Sequence, residues 1–183
     1  MTSSANFPDR DSTSAMDPKL YLLWAQANAS AGYRYSVEAR PGSQSIQGKV
    51  ATISVVWTNY GSAATENWVP GYKLVDFSGR VVRTLPATVN LKTLVHDDQS
   101  DRSRDEAVPA SSAESVHIDL TGLAAGHYTL RASAEWRQHK PGASHVVFYP
   151  PMQLARDGRD SSGAYPIATL DIPRDSTTTA IGR

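Results

Sequence analysis

Apolar and polar residues alternate with period two through most of the chain, and glycine, proline, asparagine and aspartate interrupt the alternation at short intervals. In Lys49–Gly61, Ile53, Val55 and Trp57 share one face while Thr52, Ser54 and Thr58 point the other way. In Leu123–Trp136, Tyr128, Leu130, Ala132, Ala134 and Trp136 oppose His127, Thr129, Arg131, Ser133 and Glu135. Such patterning predicts strands with one buried and one wet face. Further strands are predicted at Tyr33–Glu38, Trp68–Phe77, Arg80–Thr84, Glu114–Leu120, His145–Tyr149, Met152–Ala155 and Tyr165–Ile172. Pro41-Gly42 and Asp76–Gly79 read as turns between them. About seven to nine short strands at this spacing predict an all-β, immunoglobulin-like or fibronectin-III-like antiparallel β-sandwich over residues 33–173.

Three rings are assigned to the scaffold. Trp57 and Trp136 fall on predicted core faces. Tyr128 follows Leu120, Leu123 and Gly126 in the order that builds a tyrosine corner, where the phenol bonds back to upstream backbone.

The pattern changes before Tyr33. Residues 1–16 are rich in Ser, Thr, Asp and Asn and read as a disordered segment. Asp17 then suits a helix cap, Pro18 the first helical position, and Gly32 the end, so one short helix is predicted over 17–32. Leu20, Leu23, Trp24 and Ala27 form a single apolar stripe on it. So short a helix must dock, and Leu20, Leu23 and Trp24 are its expected domain interface. Residues 174–183 read as a frayed tail.

Composition narrows the classes. A chain of 183 residues suits one domain with extensions. Eighteen basic against 18 acidic residues leave no net charge, which argues against nucleic acid or an anionic membrane surface as partner. No apolar run approaches the roughly 20 residues that cross a bilayer. Without cysteine there is no disulfide, thiolate ligand or thiol nucleophile. The first residues lack the basic and apolar regions of a signal peptide, so an extracellular or cell-envelope location is expected only for a longer parent protein.

Candidate chemistry is sparse. Asp119 and Glu135 are the strand-borne acids worth weighing as a glycosidase pair, which needs two carboxyls facing each other. Both lie on predicted wet faces of strands assigned to opposite sheets. No G-x-S-x-G elbow occurs, and His117, His127, His139 and His145 show no ligand spacing. His96, Asp97, Asp98, Asp101, Asp105 and Glu106 offer oxygens, but the spacing departs from a calcium-loop template and reads as a solvated loop. Asp157–Gly163 reads as a turn. No catalytic residue, metal or cofactor is expected. Trp68, Tyr72 and Tyr149, at strand entrances and beside prolines, are the candidates for a carbohydrate platform, since exposed rings pack against the C–H face of a pyranose.

The stretches WTNYGSA (Trp57–Ala63), KLVDFSGRVV (Lys73–Val82), DLTGLAAGHYTLRAS (Asp119–Ser133) and MQLARDGRDSSGAYPIATLDI (Met152–Ile172) occur in a familiar order. Together with DPKLYLLWAQANASAGYRY, they resemble the C-terminal β-sandwich of a bacterial family of unknown function. There the sandwich follows a (β/α)8 barrel similar to glycoside hydrolases. The resemblance implies a non-catalytic accessory module that packs against or supports an adjacent barrel domain. The barrel's carboxylates would lie outside this sequence. Alternatives are a module that itself grips carbohydrate, or an adhesion or assembly module acting through strand edges.

Overall fold

The computed structural model describes residues 32–95, 109–139, 144 and 146–173. Over these it is an all-β sandwich. The helix predicted for 17–32, with Leu20, Leu23 and Trp24, falls on residues outside this set except for Gly32. So do the segments 1–16 and 174–183 and the acidic stretch His96–Glu106.

The first sheet is built around β3 (Val50–Asn59), whose burial alternates along its length. β1 (Tyr35–Ala39) pairs antiparallel with the second half of β3, from Tyr35 opposite Asn59 to Ala39 opposite Val55. β2 (Ser45–Gln47) pairs with its first half. β6 (Ala110–Asp119) runs the full length of the other flank. The second sheet has the order β10-β7-β4-β5, from β4 (Val69–Asp76), β5 (Val81–Pro86), β7 (Gly126–Glu135) and β10 (Tyr165–Ile172). The chain changes sheet between β3 and β4, between β5 and β6, and between β6 and β7, as in a Greek-key sandwich. A two-stranded ribbon of β8 (Arg137–His139) and β9 (Val146–Phe148) extends one end.

The core is what the alternation requires. Ile53, Val55 and Trp57 from the first sheet meet Tyr72, Leu74, Leu130, Ala132 and Ala134 from the second, all essentially inaccessible. The tyrosine corner is present: the Tyr128 hydroxyl donates to the Ala124 carbonyl at 2.8 Å. Asn59 explains the WTNYG run at Trp57–Gly61. Its Oδ1 accepts from the amide of Gly61 at 3.0 Å, and its Nδ2 donates to the carbonyls of Ser62 and Leu94. A side chain at Gly61 would stand 2.5 Å from the Gly32 carbonyl, so the turn has room only for glycine.

Two predictions need correction. Met152–Ala155 is not a strand, although Met152 and Leu154 are buried. The amide of Met152 bonds to Ala134 in the second sheet, and that of Ala155 to Tyr35 in the first. A segment that divides its hydrogen bonds between layers belongs to neither ladder, and here it laces the β1 and β10 side shut. Trp136 is half-buried rather than core. β7 ends at Glu135, and the chain leaves the sheet one residue before the ring.

Candidate functional site

Aromatic residues collect at one end of the sandwich because strand register delivers them there. Val69 opposes Glu135 at the paired ends of β4 and β7, so the preceding Trp68 and the following Trp136 become neighbours. Their ring centroids are 5.6 Å apart. The ribbon brings Tyr149 onto Trp136, with centroids at 4.0 Å and planes within 15°. The Tyr149 amide bonds to the Trp136 carbonyl and its hydroxyl to Gln138, which fixes the stack. On the other side Tyr33 meets Trp68 edge-on at 6.1 Å and continues to Tyr35. Burial pushes the Tyr33 phenol above its usual pKa, the Glu66 carboxylate adds to that, and the Trp68 side chain opposes it. Beside the cluster two apolar side chains face water, Val69 at 63% and Phe148 at 71% accessibility.

Of the three residues proposed as a carbohydrate platform, Trp68 and Tyr149 are brought together, through Trp136. Tyr72 is not among them. It is 1% exposed, on the inward face of β4. Its hydroxyl accepts from Trp57 Nε1 at 2.8 Å and donates to Glu114 at 2.5 Å. Burial, then the hydrogen bond to Glu114, drives its pKa far above the usual phenol value. The signal was available: Tyr72 shares strand parity with the buried Pro70 and Leu74. Because Trp136 and Tyr149 stack on each other, each has one ring face covered.

A groove of about 430 Å³ lies on the outer face of the second sheet, next to this end. Its floor is Gly71, which stands between Ser133 on β7 and Pro86 on β5. Glycine beside serine, with the compact ring of Pro86 on the other flank, leaves a depression. Asn67 and Val69 close it toward the aromatic end, and Lys73 and Thr84 stand at the other. Lys73 Nζ and Glu135 Oε1, 3.1 Å apart, form an ion pair that runs diagonally past Ser133. No sequence motif marks this groove, because it arises from register across three strands.

The other charged pairs hold local structure. Asp160 takes the amides of Ser162 and Ala164 and the Ser162 hydroxyl on one carboxylate oxygen, and Arg131 on the other. Asp157–Gly163 is thus a turn organised by one carboxylate. Asp76 holds the β4–β5 turn in the same manner, through Ser78 and Arg80. Asp119 and Glu135 lie on strands of different sheets and engage Thr121 and Lys73 respectively. Among the described residues, no three His, Asp or Glu side chains are grouped as a metal site, and no helix is long and apolar enough to cross a membrane.

No protein-family model matches the chain, and no curated protein does. Among solved structures it is similar to a crystal structure of the ApaA protein from Bordetella pertussis, at 14% identity and a TM-score of 0.28, over 78% of this chain and 94% of that one.

Proposed function

We propose that this chain is a non-catalytic β-sandwich accessory module of a carbohydrate-active bacterial protein, serving to pack against and support a partner domain. The observation that carries the reading is the aromatic end: four half-buried rings, Tyr33, Trp68, Trp136 and Tyr149, bordered by the exposed Val69 and Phe148. Apolar area of that kind at one pole of a sandwich suits a domain contact. The chain also continues N-terminally from this pole, since Gly32 is bonded to Ser62 just before Tyr33. Asp119 and Glu135 support scaffold work, since they lie on strands of different sheets and engage Thr121 and Lys73 rather than facing each other. The test is the native locus. A reading frame for a (β/α)8 barrel, joined to this sequence or beside it, is expected, and a locus without any carbohydrate-active domain overturns the reading.

The groove on the outer face favours a second role within the same reading, direct contact with a glycan. Retardation of the pure chain in polysaccharide-containing gels is its signature. Turnover of aryl-glycosides that disappears in Glu135→Gln would instead make the chain an enzyme.

A further inference from the structure

We propose that the groove floored by Gly71 is a binding site for one or two units of a neutral pyranose chain, with neighbouring ring hydroxyls bridging Lys73 and Glu135. The inference rests on the carbohydrate reading above and assigns it a place. Three observations lead to it.

The first is the glycine. Gly71 sits within β4, where glycine weakens a strand and often marks a close backbone approach. Its φ does not require glycine, since it is not in the left-handed region. An added Cβ, however, would stand 3.3 Å from the Leu85 carbonyl, closer than ordinary contact, so a side chain here both crowds β5 and covers the floor. What glycine provides there is empty space over the sheet. The groove's volume of about 430 Å³ falls in the range of about 300–1,000 Å³ typical of small-ligand sites.

The second is the division of its lining. Val69, Gly71 and Pro86 give an apolar surface, and Asn67, Lys73 and Glu135 stand around it. A pyranose has the matching division, C–H groups on its faces and hydroxyls around its edge. The backbone N–H and C=O groups of the floor lie in the plane of the sheet, toward the neighbouring strands, so its face asks for no polar partner.

The third is the ion pair. Lys73 only donates hydrogen bonds and ionised Glu135 only accepts them. At 3.1 Å their spacing resembles that of two neighbouring ring hydroxyl oxygens, one of which can accept from Nζ while the other donates to Oε1. The two side chains are 28% and 33% accessible, which leaves room for a ligand while limiting competition from water. The pair carries no net charge. An anionic or cationic ligand would satisfy one member and repel the other, so a neutral polyol is selected.

The experiment is a titration of the 15N-labelled chain followed by amide chemical shifts, with cellobiose, maltose and chitobiose as probes and sodium glucuronate as the charged comparison. Saturable shifts at Gly71, Lys73 and Ser133 are expected with at least one neutral disaccharide, and weaker or none with glucuronate. Gly71→Val fills the floor and should weaken that affinity at least about tenfold. Thr84→Arg fills the groove from an exposed edge position and should do the same if Gly71→Val fails to fold. Glu135→Gln should weaken binding while leaving the spectrum otherwise unchanged. Shifts confined to Trp136 and Tyr149, binding that survives both filling variants, or no shift with any disaccharide each overturns the site. A barrel-encoding locus together with a silent groove would leave the accessory reading standing and remove only this one.

Discussion

The indole Nε1 of Trp57 donates to the hydroxyl of Tyr72 at 2.8 Å, across the gap between the two sheets. The same hydroxyl donates onward to Glu114, and the other Glu114 oxygen receives the amide and hydroxyl of Thr88. A single polar line thus runs from the buried Trp57 through Tyr72 and Glu114, crossing between the sheets, and ends at the exposed Thr88 in the loop after β5. It satisfies the tryptophan N–H, which burial would otherwise penalise. It also turns a carboxylate inward on β6, a feature that makes an edge strand unattractive to other chains.

Tyr72→Phe keeps the ring and removes the junction. It leaves the Trp57 N–H without an acceptor and takes one donor from Glu114, so a loss of about 2–3 kcal/mol is expected. The urea midpoint should fall with an unchanged m-value. In a double-mutant cycle with Trp57→Phe the two changes should couple by about 1 kcal/mol. Additive losses would mean that the hydrogen bond does not link the sheets energetically.

Asn59 is wholly buried, and its side-chain amide engages four backbone groups, those of Arg34, Gly61, Ser62 and Leu94. Asn59→Ala should therefore destabilise by about 2–4 kcal/mol, more than the volume change alone accounts for. Hydrogen exchange should accelerate first at Gly61. A loss below about 1 kcal/mol would show that water replaces the amide there without penalty.

Much of this fold is legible in the sequence itself. The alternation in β3 and β7 identified both central strands, and Tyr128 announced its corner, because period-two burial and local backbone bonding are properties of a short stretch. The runs WTNYG (Trp57–Gly61) and LAAGHY (Leu123–Tyr128) encode a turn hub and that corner, so the structure accounts for them through the fold. What depended on register between distant strands was not legible. Parity with Leu74 places Tyr72 on the inward face of β4, but its polar partners Trp57 and Glu114 lie on the facing sheet and no local stretch shows them. β2 contains a single apolar residue, Ile46, too few to show a period. The groove needs Gly71, Ser133 and Pro86 side by side, and no stretch of sequence contains all three.

Gly163 and Gly42 make a paired test of close packing. Both have positive φ, +79° and +70°. A methyl group at Gly163 would stand 2.8 Å from Pro151, whereas at Gly42 it meets nothing within 4 Å. Gly42→Ala should lose about 1 kcal/mol from backbone conformation alone. Gly163→Ala should lose at least about 1 kcal/mol more, because Pro151 is tied to the lacing segment and has little freedom to move. Equal losses in thermal unfolding would mean that the 151–163 contact yields easily.

Asp160 gives the molecule an acid-sensitive point. Burial alone would raise its carboxyl pKa, but the Ser162 hydroxyl, the amides of Ala164 and Ser162, and Arg131 hold it at about 2 instead of the usual 3.8. Because the folded value is the lower one, ionisation favours the folded state. That contribution is complete above pH 4 and fades as pH falls toward 2. With part of the side chain open to water, it amounts to about 1–2 kcal/mol. Asp160→Asn retains an oxygen for the two amides but loses the charge opposite Arg131. It should be less stable than the native chain at pH 7 by about that amount, and the gap between the two denaturation curves should close between pH 4 and pH 2. A gap that stays constant through that interval would mean that the carboxylate charge contributes nothing, and that the turn is held by its neutral hydrogen bonds.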